Sequence, residues 1–310
     1  MPGADTVRRE PTPVAPGGYA VSSDGPGAAA AQLAGFLARH TPVVLTGAGI
    51  STESGIPDYR GPDGRRRVTP MQHGEFVGSS AARQRYWARS YAGWSRFAAA
   101  EPNDGHRALA VLHREGRVGP VVTQNVDGLH QRAGTPKVIE LHGSLAEVVC
   151  LTCTRRTDRD LLQARMFTDN PSFAERLEAV AADGSRVSSQ IRPDGDVVLS
   201  EEAVADFVVP TCLGCGADTL KPDVVFFGGS VPRDRVEAVT DLVAGADGLL
   251  VLGSSLQVMS GYRFVRQAAA RGIPVAVVTR GPSRGDAQAT LRLDVPLGPT
   301  LMAAAGALSG

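Results

Sequence analysis

The chain has 310 residues, 43% of them hydrophobic, 21% charged and 5% aromatic, enough for one large domain or two linked ones. Its 32 basic residues balance 32 acidic ones, so no polycationic field draws in nucleic acid or anionic lipid, and direct nucleic-acid binding is not expected. No apolar run approaches the roughly 18–20 residues that cross a bilayer, which excludes an integral membrane protein.

Residues 1–27 are mostly Pro, Gly, Ser and Asp with few bulky apolar side chains, the composition of a disordered tail. They lack the apolar stretch of a secretory signal, and Asp5, Glu10 and the prolines make a poor transit helix, so a cytoplasmic location is expected. An Ala/Leu pattern with Leu33, Phe36 and Leu37 predicts a first helix over 28–40. A short apolar strand over 43–46 follows and breaks at Gly47-Ala48-Gly49. The same grammar recurs at 120–123, 138–141, 248–253 and 274–279, and helical patterns fill 104–115, 233–244 and 262–271. Short continuous apolar strands alternating with helices predict an α/β fold, a Rossmann-like doubly wound parallel sheet covered on both faces. Residues 144–220 break this grammar, being polar and holding all four cysteines. The expected division is therefore a Rossmann-like domain from 28–143 and 221–310, with a small inserted zinc-binding module at 144–220 that carries a long extra loop over about 157–206.

Glycines directly after the first strand let the backbone turn sharply and approach a pyrophosphate, with the N-terminus of a following helix offering N–H groups and a positive dipole end. The spacing is not G-x-G-x-x-G, since the next glycine is Gly55, and a tight turn explains Gly47 and Gly49 equally well. The continuation to Asp58, Tyr59 and Arg60 adds a hydrogen-bond acceptor and an anion binder, whereas Arg65, Arg66 and Arg67 read as a solvated loop face. Gln124, Asn125 and Asp127 lie past the second strand, at the sheet edge where open α/β sheets bind ligands. Asn125 and Asp127 could equally cap a helix starting near Gly128. His142 ends a strand at the same edge and supplies a base suited to taking a proton from a sugar hydroxyl. Cys150 and Cys153 pair with Cys212 and Cys215 as two C-x-x-C units. Each can bite one edge of a tetrahedral Zn²⁺, and four sulfurs leave no open position, so the expected ion is structural. The run 221–229 reads as an apolar strand ending in paired glycines, and Gly253, Ser254 and Ser255 as another strand-end turn able to contact ribose or phosphate.

Together these segments resemble the sirtuin family of NAD⁺-dependent protein-lysine deacylases. GAGIST-x-SGIPDYR, TQNVDGLH, ELHG, the two C-x-x-C pairs, KPDVVFFG and GSSL occur in the family's order from residue 43 to about 280. QRYWAR, PDGDV and SLQVMSGYRF are most similar to the class II branch that includes the mitochondrial lipoamidase-type sirtuin. The resemblance implies that Gly47, Ala48, Gly49, Tyr59 and Arg60 line the path of NAD⁺ and that Ile56, Asp58 and Asp127 form the nicotinamide pocket. By the same token Gln124 and Asn125 contact the nicotinamide ribose, and Gly253, Ser254 and Ser255 the adenine side, with Thr279 and Gly281 at a position where the family commonly carries Asn. His142 is implied as general base with Asn125 beside it. Val225 and Phe227 are implied as walls of an acyl-lysine tunnel, and Gly228, Leu256, Gln257 and Val258 as the place where a substrate peptide adds as a strand. Tyr86 and Arg89, three apart on one helical face, are similar to the Tyr-x-x-Arg pair by which some sirtuins read acidic acyl groups, although an ordinary packed helix explains them too. The implied substrates are acyl-lysine proteins or peptides, and the implied products lysine, nicotinamide and 2′-O-acyl-ADP-ribose. Mono-ADP-ribosyl transfer from the same site is the alternative enzyme, and a non-catalytic zinc-ribbon adaptor the alternative of another class.

Overall fold

The computed structural model describes residues 25–182 and 192–309. The expected tail lies outside the described residues except for 25–27, which open the first helix, Gly25–Leu37. That helix starts and ends three residues earlier than the Ala/Leu pattern predicts.

Nine strands form two sheets: β1 Val43–Thr46, β2 Val121–Thr123, β3 Val138–Glu140, β4 Gly143–Cys150, β5 Arg156–Asp158, β6 Leu220–Val224, β7 Leu249–Leu252, β8 Val275–Val278 and β9 Leu291–Leu293. The larger sheet runs β3-β2-β1-β7-β8-β9, parallel throughout. Every residue of β1, β2, β7 and β8 is buried, as two-sided coverage requires of a parallel strand. One face is covered by the helices Gly25–Leu37, Asp104–Arg114 and Leu297–Leu308, which share a core with Val44, Val121, Leu250 and Ala276. The other carries Arg233–Ala244 and Met259–Ala270, with Val239, Val243, Phe264 and Val265 packed on Leu45, Val122 and Val251. The fold is the expected Rossmann-like α/β fold. Strand order reverses between β1 and β7, which opens a crevice beyond their C-terminal ends.

The smaller sheet, β5-β4-β6, is antiparallel. Lys221 and Pro222 thus belong to this sheet rather than to the parallel one. Above it, Phe76, Tyr86, Trp87, Tyr91, Trp94 and Phe97 form an aromatic core around the helix Ser80–Ala98. Trp87 Nε1 donates to Leu220 O at 2.9 Å, fixing that helix to β6. The described part of the 157–206 stretch is mostly helical (Arg159–Asp169, Pro171–Ala182, Glu201–Val204) and anchors through Leu162, Met166, Phe173 and Val204. No helix among the described residues is long and apolar enough to cross a membrane.

Under the crevice lies a buried imidazole pair, His106 and His130, with ring centroids 4.9 Å apart. Thr46 Oγ1 donates to Thr123 Oγ1 at 2.8 Å, so its lone pair takes the proton of His130 Nε2 at 2.9 Å. Asn103 caps the helix Asp104–Arg114, and its N–H donates to His106 Nδ1 at 3.4 Å. Burial pushes His106 down to about 4 and His130 down to about 3, so both are neutral at pH 7. The unfolded chain takes up protons at these sites near pH 6.5 while the folded chain does not. Their contribution is therefore fully present above pH 6.5 and is lost as pH falls through about 4 to 3. Denaturant unfolding between pH 7 and pH 4 is expected to show stability declining with acid, with a shallower slope in His130→Asn; equal slopes would refute this account.

Candidate active site

The crevice begins where two turns touch backbone to backbone. A Cβ on Gly47 would lie 2.8 Å from Ser254 Cβ, and one on Gly49 2.8 Å from Gly253 O. Gly253 itself has φ +63, and a Cβ there would meet Ile50 N at 2.5 Å. The expected α-helix after Gly49 is absent. Two 3-10 turns, Ala48–Ile50 and Thr52–Ser54, stand in its place, ended by Gly55 in the left-handed region and by Pro57. The N–H groups of Gly47, Gly49, Ile50 and Ser51 are committed to Leu252 O, Gly253 O, Gly47 O and Ala48 O. Those four N–H groups are thus taken up within the turns, and the glycines serve the closeness of the two turns.

Polar side chains past β2 are locked onto the first turn. Asn125 Nδ2 donates to Gly47 O at 3.2 Å and to Ser51 Oγ at 3.0 Å. Ser51 Oγ in turn donates to Asp127 Oδ2 at 2.7 Å, and Asp127 Oδ1 accepts from Leu129 N at 3.0 Å. Asp127 thus accepts from the first N–H of the short helix Leu129–Arg132, whose N-cap is Gly128, and joins the crevice network at once, whereas Asn125 bonds only to the first turn and to Thr123. Burial pushes the Asp127 carboxyl upward against the hydrogen bonds that hold it down. Gln124 Nε2 donates to Ser254 Oγ at 2.8 Å, joining β2 to the turn after β7.

His142 stands between the two sheets, past β3 and before β4. Its Nδ1 is 2.9 Å from Gln124 O, and a carbonyl has no proton to give, so Nδ1 carries the hydrogen and Nε2 the lone pair. Nε2 lies 2.9 Å from Ser260 Oγ. Burial pushes the imidazole down to about 4, and Arg235 adds to the effect. The backbone beyond β6 closes in beside it, Val225 N donating to His142 O at 2.8 Å.

A lobe over 56–68 flanks the crevice. Ile56 is buried in the aromatic core. Burial pushes Asp58 up while Arg67, 3.6 Å away, opposes the shift. Tyr59 packs edge-on to Phe227, with ring centroids 5.3 Å apart. Arg60 Nη1 donates to Gly64 O at 3.0 Å, so its guanidinium is tied to its own lobe. Gly281, φ +74, abuts the lobe where a Cβ would meet Pro62 O at 2.1 Å, and buried Thr279 accepts from Arg292 Nη1 through its carbonyl. Leu256 is buried with φ +54, Ser255 and Val258 are half-buried, and Gln257 is exposed. Gly228, φ +79, follows Phe227, whose carbonyl accepts from His73 N.

Tyr86 and Arg89 share a face of the helix Ser80–Ala98: Tyr86 is 1% exposed, and Arg89 donates to Leu199 O through Nη2 at 3.0 Å while its Nε has no partner among the described residues. Asp194 and Asp196 lie close enough to raise the phenols of Tyr59 and Tyr86 further, after burial, and Asp196 pairs with Arg192 at 3.3 Å. Burial and the neighbouring Asp194 push Asp196 up to about 8. Asp194 and Asp196 lie in the PDGDV segment that carries part of the resemblance, but sequence reasoning gave these carboxyls, Ser51 and Ser260 no role. Gly93 in mid-helix, where a Cβ would meet Gly195 O at 2.2 Å, is a further signal of the close approach.

The four cysteine sulfurs lie within 4.8 Å of one another, Cys150 to Cys215 at 3.7 Å and Cys153 to Cys212 at 3.6 Å. A tetrahedron with metal–sulfur bonds of about 2.3 Å has edges of about 3.8 Å, so the cluster fits one Zn²⁺. Each C-x-x-C turn is followed by a left-handed residue, Thr154 at φ 62 and Gly216 at φ 73.

Comparison with known proteins agrees with this geometry. Residues 47–260 match the model of the Sir2 family. The chain is 53% identical over 279 residues to "NAD-dependent protein deacetylase 1" of Streptomyces coelicolor, covering 90% of this chain and 89% of that one. It is 48% identical over 263 residues to the human "NAD-dependent protein lipoamidase sirtuin-4, mitochondrial", covering 84% and 80%. A structure described under "Structural Basis for the Mechanism and Regulation of Sir2 Enzymes" superposes with TM-score 0.67 at 29% identity, covering 91% and 98%. A Sir2 enzyme bound to a propionylated peptide gives TM-score 0.65 at 28% identity, covering 87% and 94%. With the crevice, its network and these matches together, the chain is a member of the Sir2 family.

Proposed function

We propose that this chain is an NAD⁺-dependent protein-lysine deacylase whose chemistry is centred on His142. The observation that carries this reading is the imidazole itself: neutral, fixed in one tautomer by Gln124 O, and presenting Nε2 on the crevice that Asn125, Asp127 and the two glycine turns enclose. Breaking the bond between nicotinamide and ribose builds positive charge on the sugar carbon, which the acyl oxygen of the substrate lysine then attacks. His142 Nε2 takes the proton from a ribose hydroxyl in the steps that pass the acyl group to the sugar. Asn125 has both amide hydrogens committed to Gly47 O and Ser51 Oγ, which leaves its Oδ1 to meet the ribose. Asp127, held by Ser51 and Leu129 N, accepts from the nicotinamide carboxamide and keeps it turned, a contribution of binding rather than of proton transfer. Val225 and Phe227 wall the path of the acyl-lysine, and relatives named deacetylase and lipoamidase support acylated protein substrates. A Zn²⁺ held by Cys150, Cys153, Cys212 and Cys215 supplies structural cross-linking when bound and leaves no ligand position open for catalysis.

With acyl-lysine peptides and NAD⁺, nicotinamide release is expected to depend on the peptide, and His142→Ala to lower kcat by about 10²–10⁴-fold. Full activity in that variant would overturn the assignment of the base. Nicotinamide release with ADP-ribose attached to the peptide and the acyl group retained would favour mono-ADP-ribosyl transfer. Because burial holds His142 down to about 4, the acid limb of kcat/KM for NAD⁺ is expected below pH 5 rather than near the usual histidine value. Elemental analysis should find one zinc per chain; its removal by a chelator is expected to lower Tm, and Cys212→Ser to abolish zinc retention. An unchanged Tm on metal removal would argue against a structural role.

A further inference from the structure

The base has a protein partner on the very nitrogen its chemistry needs. Ser260 Oγ lies 2.9 Å from His142 Nε2, and Gln124 O holds the opposite nitrogen at the same distance. Since Nδ1 carries the ring hydrogen, the Ser260 hydroxyl is the donor to Nε2. Ser260 is the second residue of the helix Met259–Ala270, whose first residue is preceded by Val258 without any side-chain cap, so its hydroxyl is not diverted to capping. The next residue, Gly261, admits the Gln124 side chain: a Cβ there would stand 2.6 Å from Gln124 Oε1. Of these two adjacent residues Ser260 touches the imidazole directly, while Gly261 makes room for the Gln124 side chain that reaches Ser254. Arg235, on the helix Arg233–Ala244, is the charged group acting on the ring, and its sign keeps the ring neutral.

We propose that Ser260 is a positioning residue that occupies the Nε2 lone pair of His142 in the ligand-free enzyme and yields it to the ribose hydroxyl of NAD⁺. The inference rests on the assignment of His142 as the base. One hydroxyl is exchanged for another, so the ring keeps its tautomer and orientation while the site is empty. NAD⁺ must displace this contact, which weakens its binding by about what one hydrogen bond contributes.

The test is NAD⁺ binding to the full-length protein by calorimetry, in a cycle of Ser260→Ala and His142→Ala. Ser260→Ala is expected to tighten NAD⁺ by roughly threefold to tenfold, the range that corresponds to one net hydrogen bond. Ser260→Thr, which keeps the hydroxyl, is expected to bind as the parent does. In the His142→Ala background, Ser260→Ala is expected to change nothing, because the partner is gone. An unchanged affinity in Ser260→Ala, or an equal change in both backgrounds, overturns the proposal, the second outcome marking a merely structural effect. Nitrogen NMR of the histidine ring in the ligand-free protein should show Nδ1 protonated, with the Nε2 resonance shifted in Ser260→Ala; an Nε2 signal indifferent to Ser260 also overturns it. NAD⁺ that fails to bind the parent protein overturns the functional reading as well, whereas bound NAD⁺ whose affinity ignores Ser260 overturns this inference alone.

Discussion

The crevice depends on one steric constraint, the contact between the turn after β1 and the turn after β7. Gly47 and Gly49 press on Gly253 and Ser254 at distances no side chain could tolerate, and Gly253 adopts a left-handed backbone at the same point. The closeness has a chemical result. It brings Gly47 O and Ser51 within reach of Asn125 and Ser254 within reach of Gln124, so three strand ends share one hydrogen-bond network. A Cβ at any of the three glycines would push the turns apart and separate those partners. The network is largely buried and the Asn125, Ser51 and Gln124 donors are all taken up within it, which gives it the rigidity a substrate-orienting site needs.

His142 joins this network to the smaller sheet. Behind it, Gly143 has φ +83, and a Cβ there would lie 1.9 Å from Asp223 O, so β4 starts with its backbone against β6. The far ends of the same two strands carry Cys150 and, just before Leu220, the Cys212 and Cys215 turn. Cross-linking the cysteines thus pins one end of a strand pair whose other end frames the imidazole. A metal bound there would reach the imidazole only through this strand pair, whose register shifts between Gly143 and Val148.

Much of this was legible in sequence because parallel strands buried on both faces must be continuous apolar runs. The runs at β1, β2, β7 and β8 announced themselves, as did the positions of His142 and the cysteines. What was not legible came from tertiary context. β9 is only Leu291–Leu293 with a buried Arg292 at its centre, too short and too charged to register as a strand. The turn after β1 looked like the start of a helix because its residues permit one; Gly55 and Pro57 hold it to 3-10 turns instead. Ser260 lies two residues before the helical pattern predicted over 262–271, and its partner lies 118 residues earlier, so no local pattern marks it. Local patterns foretell elements; they do not foretell which side chains two distant elements bring together.

The helix Ser80–Ala98 shows the same limit. Tyr86 and Arg89 have the spacing of a paired reader on a helix, and the helix forms. Yet the segment 192–200, more than a hundred residues away in sequence, lies over them: Leu199 O takes an Arg89 hydrogen, and Gly195 O occupies the space Gly93 leaves. Asp196 is buried there beside half-buried Asp194 and Arg192, and burial together with the neighbouring Asp194 pushes its carboxyl up to about 8. The phenol, the guanidinium and these carboxyls thus form one cluster, and the Tyr-x-x-Arg spacing by itself reveals only half of it.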